Sequence, residues 1–231
     1  MSVARTARER VHEEVSAEIL AVARVHLARD GAAALSLRSI ARDVQMVPSA
    51  LYRYYSGRDA LLSALILSAY GSLADEAEAA AAKAKGSDAE SWLAVPRAMR
   101  RWALAHPHEW SLIFGTPVPG YQSPPDTVVP YARLATALVH PLVEASAAGR
   151  LHASDPDASV SDALRDAIAP VAQAVLPDAP TIIVLRALES WAALIGSISL
   201  ELFGHWNNTV LDPEAFFDET VRGMARSLGL R

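Results

Sequence analysis

The chain has 231 residues, of which 52% are apolar and 6% aromatic, and its formal net charge is −5 at pH 7. It is long enough to form one large or two small domains with a buried core. Because it contains no cysteine, disulfides, thiolate catalysis and cysteine-based metal sites are excluded. It also lacks a run of about eighteen uninterrupted apolar residues, and it begins with charged residues. We therefore expect a soluble, cytoplasmic protein that does not enter a membrane.

Charge is distributed unevenly along the sequence. The first 60 residues carry more arginine than acidic residues and no lysine, whereas the remainder is acidic. A basic N-terminal part on an acidic body is typical of a DNA-binding regulator. Much of the apolar content is alanine, which has the highest helix propensity, so the composition predicts an all-α protein.

The first helix is predicted from an apolar stripe formed by Val11, Val15, Ile19, Val22 and His26, and Asp30-Gly31 ends it. On this stripe His26 is expected to pack between helices rather than to bind a ligand. Residues 1–10 contribute Arg5, Arg8 and Arg10, which either contact phosphates or form a solvated terminus.

Positions 36–55, SLRSIARDVQMVPSALYRYY, have the pattern of two short helices joined by a three-residue turn. An apolar stripe at i, i+3, i+4 and i+7 predicts the first of them, with Leu37, Ile40, Ala41 and Val44 on one face. Ser36 precedes it as an N-cap. The second is predicted over Pro48–Tyr55, because proline suits the first position of a helix. This arrangement is that of a helix-turn-helix, whose second helix enters the DNA major groove.

These segments together resemble a known family. An amphipathic helix followed by LSLRSIARDV, SALYRYY and SGRDALL is similar to the N-terminal domain of TetR family transcriptional regulators, over about residues 10–65. The resemblance implies that three helices bind DNA and that a fourth leads into a variable ligand-binding and dimerisation body. Gln45 and Val47 stand where the family often has a turn glycine and a serine N-cap. Glutamine adopts a left-handed backbone less readily than glycine, so an adjusted turn is expected.

We therefore predict a helix-turn-helix DNA-binding domain at 1–58 and a helical ligand-binding and dimerisation domain at 59–231. Ser49, Tyr52 and Arg53 face outward as candidates for base contact, although Tyr52 could pack against the first helix of the motif instead. Phosphate contacts are expected from Arg38, Tyr54 and Arg58, and these fix affinity and register rather than sequence. The full predicted DNA-binding set is Arg38, Pro48, Ser49, Ala50, Tyr52, Arg53, Tyr54 and Arg58.

The sequence after residue 58 predicts further helices. Ser87 and Glu90 form a capping-box pattern that opens one of them, and Pro96 is expected to kink it and so to leave room for a cavity. Other helices are predicted from Asp126 to Ala148 and from Ser161 to Val175. Aromatic residues in this region suggest a ligand pocket, with the candidates Trp102, His106, Trp110, Phe114, Tyr131 and Trp191.

The last two predicted helices, from Thr181 to Trp206 and from Asp212 onward, are the candidates for subunit association. The first is apolar around most of its circumference, and the second has an apolar seam. The resemblance also implies a homodimer built from these two helices. Dimer-interface candidates are Ile195, Ser199, Phe217, Val221, Met224 and Leu228; the alternative is that they form an internal core.

No catalytic constellation is recognisable. A P-loop, a dinucleotide fingerprint, a nucleophile elbow and an HExxH motif are all missing, so we predict no enzyme activity and no cofactor. His106 and His108 have an H-x-H spacing, but no third ligand is indicated, and no metal site is predicted.

The sequence thus predicts a homodimeric, sequence-specific DNA-binding regulator, a repressor released from a pseudo-palindromic double-stranded operator by a small-molecule effector. Activation in place of repression is also compatible with it. The alternative from another class is a helical small-molecule or lipid-binding protein whose DNA-binding module is vestigial.

Overall fold

The structure, a computed structural model, describes residues 6–122, 124, 128–151, 160–177 and 179–230. All regular secondary structure in these ranges is helical, which confirms the all-α prediction. The helices are α1 (Ala7–Asp30), α2 (Leu37–Asp43), α3 (Pro48–Leu51), α4 (Arg58–Lys83), α5 (Asp88–Ala105), α6 (Pro107–Phe114), α7 (Val128–Ala147), α8 (Asp162–Val175), α9 (Thr181–Leu202) and α10 (Pro213–Ser227). The predicted start of α7 at Asp126, and Arg5 in the N-terminal arm, lie outside the described residues.

The chain divides into two compact units. Unit 1 comprises Met1–Tyr70 and His108–Thr127, and unit 2 comprises Gly71–Pro107 and Val128–Arg231. Helix α4 is continuous across the boundary at Tyr70 and Gly71. Unit 1 therefore contains α1 to α3, the part of α4 up to Tyr70, and α6 from His108 with the loop that follows it.

The core of unit 1 is formed by the apolar stripes that the sequence predicts. Ile19 of α1, Ile40 of α2 and Leu51 of α3 are completely buried together with Leu61 and Leu62 of α4. Burying one such side chain stabilises the fold by roughly 1.5–3 kcal/mol, so these five positions hold the short helices in place. This matters because helices of seven and four residues are not stable in isolation.

Helix α6 and residues 115–122 complete unit 1. Leu112, Val118 and Tyr121 pack against the same core. The Tyr121 hydroxyl lies 3.0 Å from the hydroxyl of Ser63 on α4, and Tyr70 donates a hydrogen bond to the carbonyl oxygen of Ile113 at 3.2 Å. Both ends of the segment are thus attached to α4.

Unit 2 is built around α5, which packs against α7, α9 and α10. Its buried residues include Trp92, Met99 and Trp102, and α5 runs as one helix through the buried Pro96. Arg100 of α5 pairs with Glu201 of α9 through two hydrogen bonds of 2.8 and 2.7 Å. Its guanidinium carbon also lies 5.5 Å from the centre of the Phe217 ring, a cation–π arrangement that adds α10 to the assembly.

The apolar seam of α10 faces the interior of unit 2. Phe217, Val221, Met224 and Leu228 are all buried in the single chain, where α10 packs on α5 and α9. The regular spacing of these four predicted dimer-interface candidates arises from packing within one subunit. Their side chains are therefore not accessible to a second chain.

Helix α9 is different, because much of its apolar surface is accessible. Leu188, Leu200 and, just past its end, Phe203 are exposed, while Ile195 and Ser199 are half-buried. In the described part of the chain α9 is the one helix long and apolar enough to cross a membrane by length and composition, and only 28% of its most apolar window is buried. A single helix of this kind is weak evidence for a membrane protein.

Candidate nucleic-acid interface and ligand cavity

The turn of the helix-turn-helix is built without glycine. Gln45 has φ of +56°, so the left-handed conformation that glycine would adopt freely is taken by a residue with a side chain. The Met46 amide donates to the Ala41 carbonyl at 2.8 Å and the Gln45 amide donates to the Arg42 carbonyl at 3.1 Å. These two bonds form a Schellman motif that ends α2. Gln45 thus takes the left-handed position of this motif although it carries a side chain.

Helix α3 is shorter than predicted. It is α-helical from Pro48 to Leu51, whereas the sequence pattern extends it to Tyr55. Beyond Leu51 the Arg53 amide donates to the Ala50 carbonyl and the Tyr54 amide donates to the Leu51 carbonyl, both three residues back. The chain therefore tightens into a 3-10-like turn, which keeps residues 52–54 next to the helix. Val47 stands at the N-cap position of α3 and makes no side-chain hydrogen bond there, since the valine side chain has no hydrogen-bond acceptor.

The face of α3 opposite the core is polar and accessible. Leu51 is completely buried, whereas Ser49 and Arg53 are exposed and Tyr52 has 49% of its surface accessible. Tyr52 is thus directed mainly to solvent rather than packed on α2. Within the described residues the side chains of Ser49 and Arg53 make no hydrogen bond, and the same is true of the exposed Arg38 on α2. These donors are available to an external acceptor.

The remaining predicted contacts are arranged differently. Pro48 is exposed at the start of α3, and Ala50 is half-buried. Tyr54 stacks on the ring of His12 from α1, with centroids 4.7 Å apart and planes 14° from parallel. Arg58 donates to the backbone carbonyl oxygens of Ala32 and Ala33 at 3.1 and 3.2 Å. Part of its guanidinium is therefore bound to the 3-10 turn at Ala32–Ala34, which follows α1.

His12 belongs to an open cleft of about 910 Å³ that no pattern in the sequence predicts. The N-terminal turns of α1 form one wall, and Arg53 and Tyr54 form the other. Arg8 of α1 also lines this cleft, so it and Arg53 from the turn after α3 face the same space. The His12–Tyr54 stack joins residues that are far apart in sequence, and no spacing rule reveals it.

A buried histidine fixes α1 to α2. His26 is 3% exposed, and its Nε2 lies 2.7 Å from Oδ2 of Asp43 at the end of α2. This hydrogen bond lowers the pKa of the Asp43 carboxyl, with further lowering by the charges of His26 and Arg42. The expectation that His26 packs between helices agrees with this geometry. Its hydrogen bond to Asp43 also fixes the position of α1 relative to α2.

Unit 2 contains an apolar cavity of about 180 Å³ between α7, α8 and α9. Among the residues that the structure describes, its lining is apolar apart from the polar atoms of two aromatic side chains, and it includes no charged residue. The lining residues are Tyr131, Ala135, Leu138, Val139, Val171, Val175, Leu176, Val184, Ala187, Leu188 and Trp191. The rings of Tyr131 and Trp191 meet edge to face, with centroids 5.7 Å apart and an interplanar angle of 87°.

The predicted pocket residues are not brought together in one place. Tyr131 and Trp191 line the cavity, whereas Trp102 is buried on α5, where it donates to Ser72 and stacks on His106. Trp110 and Phe114 contact each other in unit 1, with ring centroids 4.5 Å apart. The other nine lining residues are aliphatic, and sequence gives no signal that separates them from ordinary core positions.

No metal site is evident in the part of the chain that the structure describes. Groups of three or more His, Asp or Glu side chains that could hold an ion do not occur there. The ionic groups of unit 2 are instead joined to each other: Arg97 and Arg222 both contact Glu90 and Asp218. These hydrogen bonds lower the pKa of both carboxyls.

A helix-turn-helix with an accessible polar α3, followed by a larger helical body, defines a class of DNA-binding regulators. Residues 19–65 match the family model described as bacterial regulatory proteins, tetR family, and residues 92–224 match the tetracyclin repressor-like C-terminal domain. The chain belongs to the TetR family of transcriptional regulators, as the resemblance predicted. It is a ligand-responsive DNA-binding transcriptional regulator, and repression with release by an effector is typical of its family.

Individual relatives agree with this assignment. The HTH-type transcriptional regulator Rv1816 of Mycobacterium tuberculosis strain H37Rv is 38% identical, with 93% of this chain and 92% of that protein aligned. The crystal structure of the regulatory protein SCO4313 is 35% identical, with a TM-score of 0.78 and coverage of 95% of this chain and 98% of that one. A tetR family protein from Rhodococcus RHA1, at 18% identity and a TM-score of 0.62, shares the fold over 94% of this chain and 97% of its own. Proteins of this family are generally not enzymes.

Proposed function

We propose that the chain acts as a cytoplasmic homodimeric repressor that leaves a pseudo-palindromic operator when a small effector binds. The accessible face of α3 is the observation that carries the proposal. Ser49, Tyr52 and Arg53 point away from the buried Leu51, and α3 is held in place by the core of unit 1. In a dimer, two such helices would enter successive major grooves about 34–36 Å apart.

The proposed contacts have two different roles. Arg53 and Ser49 would hydrogen bond to base edges, and a bidentate arginine contact to guanine is the commonest specific contact in the major groove. Arg38, exposed on α2, would contact a phosphate and contribute affinity without sequence information. Pro48 and Ala50 would lie against the groove at the start of α3, with Tyr52, Tyr54 and Arg58 beside the backbone.

Helix α9 supports the dimeric part of the proposal. Leu200 and Phe203 are exposed towards the end of α9, and exposed apolar side chains of this kind often lie at interaction sites. Ile195 and Ser199 are half-buried on α9 beside a glycine at position 196, so a second backbone could approach closely there. The buried seam of α10 would then support the interface from within each subunit rather than form it.

The release step requires that effector and operator favour different states of the protein. A coupling free energy of about 1–3 kcal/mol would lower operator affinity by roughly 5–150-fold. Helix α6 begins two residues after the end of α5 and packs within unit 1, so the chain itself offers a path for such a signal.

The test uses the full-length dimer and a duplex selected by the wild-type protein from random sequence. Arg53→Ala should lose about 1–3 kcal/mol of discrimination between this duplex and one with altered half-sites. Arg38→Ala should weaken binding to both duplexes equally and reduce the salt dependence of log K by about one. Arg101→Ala, on the exposed surface of unit 2, is the control and should change neither.

Native mass spectrometry should show dimers for all four proteins. If Arg53→Ala kept wild-type discrimination, the assignment of α3 as the sequence-reading helix would be wrong. If the wild-type protein selected no sequence at all, and its weak binding did not depend on salt, the alternative of a vestigial DNA-binding module would replace the proposal.

A further inference from the structure

The cavity between α7, α8 and α9 has the chemistry of a binding site for an uncharged molecule. Every side chain around it is aliphatic or aromatic, and no charged group within the described residues lines it. A charged ligand buried there would lose its hydration without gaining a partner, at a cost of several kcal/mol. The lining therefore excludes carboxylates, phosphates and ammonium compounds from the interior of the cavity.

The volume of the cavity limits the size of the ligand. At about 180 Å³ it slightly exceeds an apolar cavity of about 150 Å³ that is known to bind benzene. A compound with one or two rings fits this space. Tyr131 and Trp191 form an edge-to-face pair at one side of the cavity. A third aromatic ring, from a ligand, could stack on this pair or meet it edge to face.

Helix α8 forms the wall of the cavity that is held least firmly. Ile168 is its one buried residue, and Leu176 is buried just beyond its end. Pro170 in its interior has no amide to donate, so one backbone hydrogen bond is missing midway along the helix. Val171 and Val175 face the cavity, and a ligand beneath them would add apolar contacts to the few that the described residues give α8.

We propose that this cavity is the effector site, that its ligand is a small, uncharged, largely apolar ring compound, and that binding holds α8 against α7 and α9. The inference rests on the proposed function, since it identifies the effector's class and position. Fixing a loosely held helix is a means by which a ligand shifts a population without contacting DNA.

The experiment compares two alanines that lie about one turn apart on α7. Ala135 lines the cavity, whereas Ala132 is exposed to solvent and does not line it. Ala135→Phe should fill part of the cavity, and Ala132→Phe is the matched control. Binding is measured by calorimetry with indole as the neutral probe and indole-3-carboxylate as its charged counterpart.

Wild-type protein and Ala132→Phe should bind indole with a negative heat-capacity change, and indole-3-carboxylate at least about tenfold more weakly. Ala135→Phe should bind indole at least about tenfold more weakly than the wild type. In the wild type, indole should slow amide hydrogen exchange in Asp162–Val175. Equal indole binding by both variants, or equal binding of the charged compound, would overturn the proposal.

Two readouts separate this inference from the function on which it rests. Operator affinity without probe should be the same in both variants as in the wild type. Failure of the wild type to bind any operator would count against the proposed function alone. Dimerisation should also be unchanged. If Ala135→Phe produced monomers, the cavity would be occupied by the second subunit rather than by a ligand.

Discussion

The guanidinium of Arg24 on α1 donates through Nε to Oε1 of Glu109 on α6 at 2.9 Å. Its Nη2 also donates to the hydroxyl of Ser68 on α4 at 2.6 Å. One side chain thus connects the first helix of the DNA-binding part with α4 and α6. Because Glu109 is 12% exposed, this ion pair is shielded from solvent on one side and should contribute more than a surface pair.

Glu109→Gln should loosen α6 without unfolding the helix-turn-helix. Loss of the charge-assisted bond should reduce the local opening free energy by about 1 kcal/mol, which corresponds to roughly fivefold faster amide exchange in Pro107–Phe114. Exchange in α2 and α3 should not change. Glu76→Gln, an exposed position on α4, is the control. Unchanged exchange in α6 would show that the pair does not hold that helix.

Gln45→Gly should stabilise the protein, because glycine adopts the positive φ of this turn without a steric penalty. We expect a gain of about 0.5–1 kcal/mol, or roughly 2–4 °C in the melting temperature of the transition that includes unit 1. The same replacement at Gln173, exposed within α8, should instead destabilise by up to about 1 kcal/mol. A lower melting temperature for Gln45→Gly would indicate that the glutamine side chain has a stabilising contact.

The two glutamates of α9 should differ strongly in their contribution to stability. Glu201 is 13% exposed and forms two hydrogen bonds with Arg100, whereas Glu189 is 50% exposed and pairs with Arg186 three residues before it. Glu201→Gln should cost about 2 kcal/mol, since Arg100 is left partly buried without its counter-charge. Glu189→Gln should cost at most about 0.5 kcal/mol. Equilibrium denaturation at fixed protein concentration measures both values.

Acid should weaken the cluster of Glu90, Arg97, Asp218 and Arg222. Hydrogen bonds from Arg97, and then from Arg222, hold the pKa of Glu90 and of Asp218 below their ordinary values. A depressed folded-state pKa contributes stability above the unfolded-state pKa, and this stability is lost as pH falls through the folded-state pKa. The contribution should therefore be complete at pH 7 and begin to be lost as pH falls below about 4.

Asp218→Asn tests this pH dependence. Its melting temperature should be about 2–4 °C below that of the wild type at pH 7, and the gap should narrow as pH falls below about 4. Asp166→Asn, at an exposed position on α8, should differ from the wild type by less than about 1 °C at either pH. A gap that stayed constant on acidification would mean that the carboxylate charge of Asp218 is not what stabilises the cluster.

Local chemistry explains why much of unit 1 could be predicted from sequence. Ser36 accepts from the Ser39 amide at 3.5 Å, Pro48 begins α3, and the i, i+3, i+4 stripe of α2 is buried, because each feature depends on residues within one or two turns. Ser87 likewise accepts from the Glu90 amide. The other half of that capping box is not seen, since the Glu90 carboxylate is bound by Arg97 and Arg222. Arg97 and Arg222 thus bind the carboxylate that would otherwise accept from the backbone amide of Ser87.

The cavity and the subunit surface depend on tertiary arrangement, and periodicity does not contain that information. An apolar stripe such as that of α10 indicates burial but not whether the covering helix belongs to the same chain. Ala135 and Val184 beside the cavity have the same residue types as fully packed positions. Trp102 and Trp110 are large and aromatic, as pocket residues often are, yet both are buried in the packed interior.

The exposed apolar surface of α9 has a consequence for how much of this regulator a cell must contain. If a second copy covers it, folding and association become one equilibrium, and the melting temperature rises with protein concentration. Newly made chains at low abundance would be more open to proteolysis than the same chains after partners accumulate. The lower limit on the working concentration of the regulator would then be set by α9, far along the chain from the helix-turn-helix.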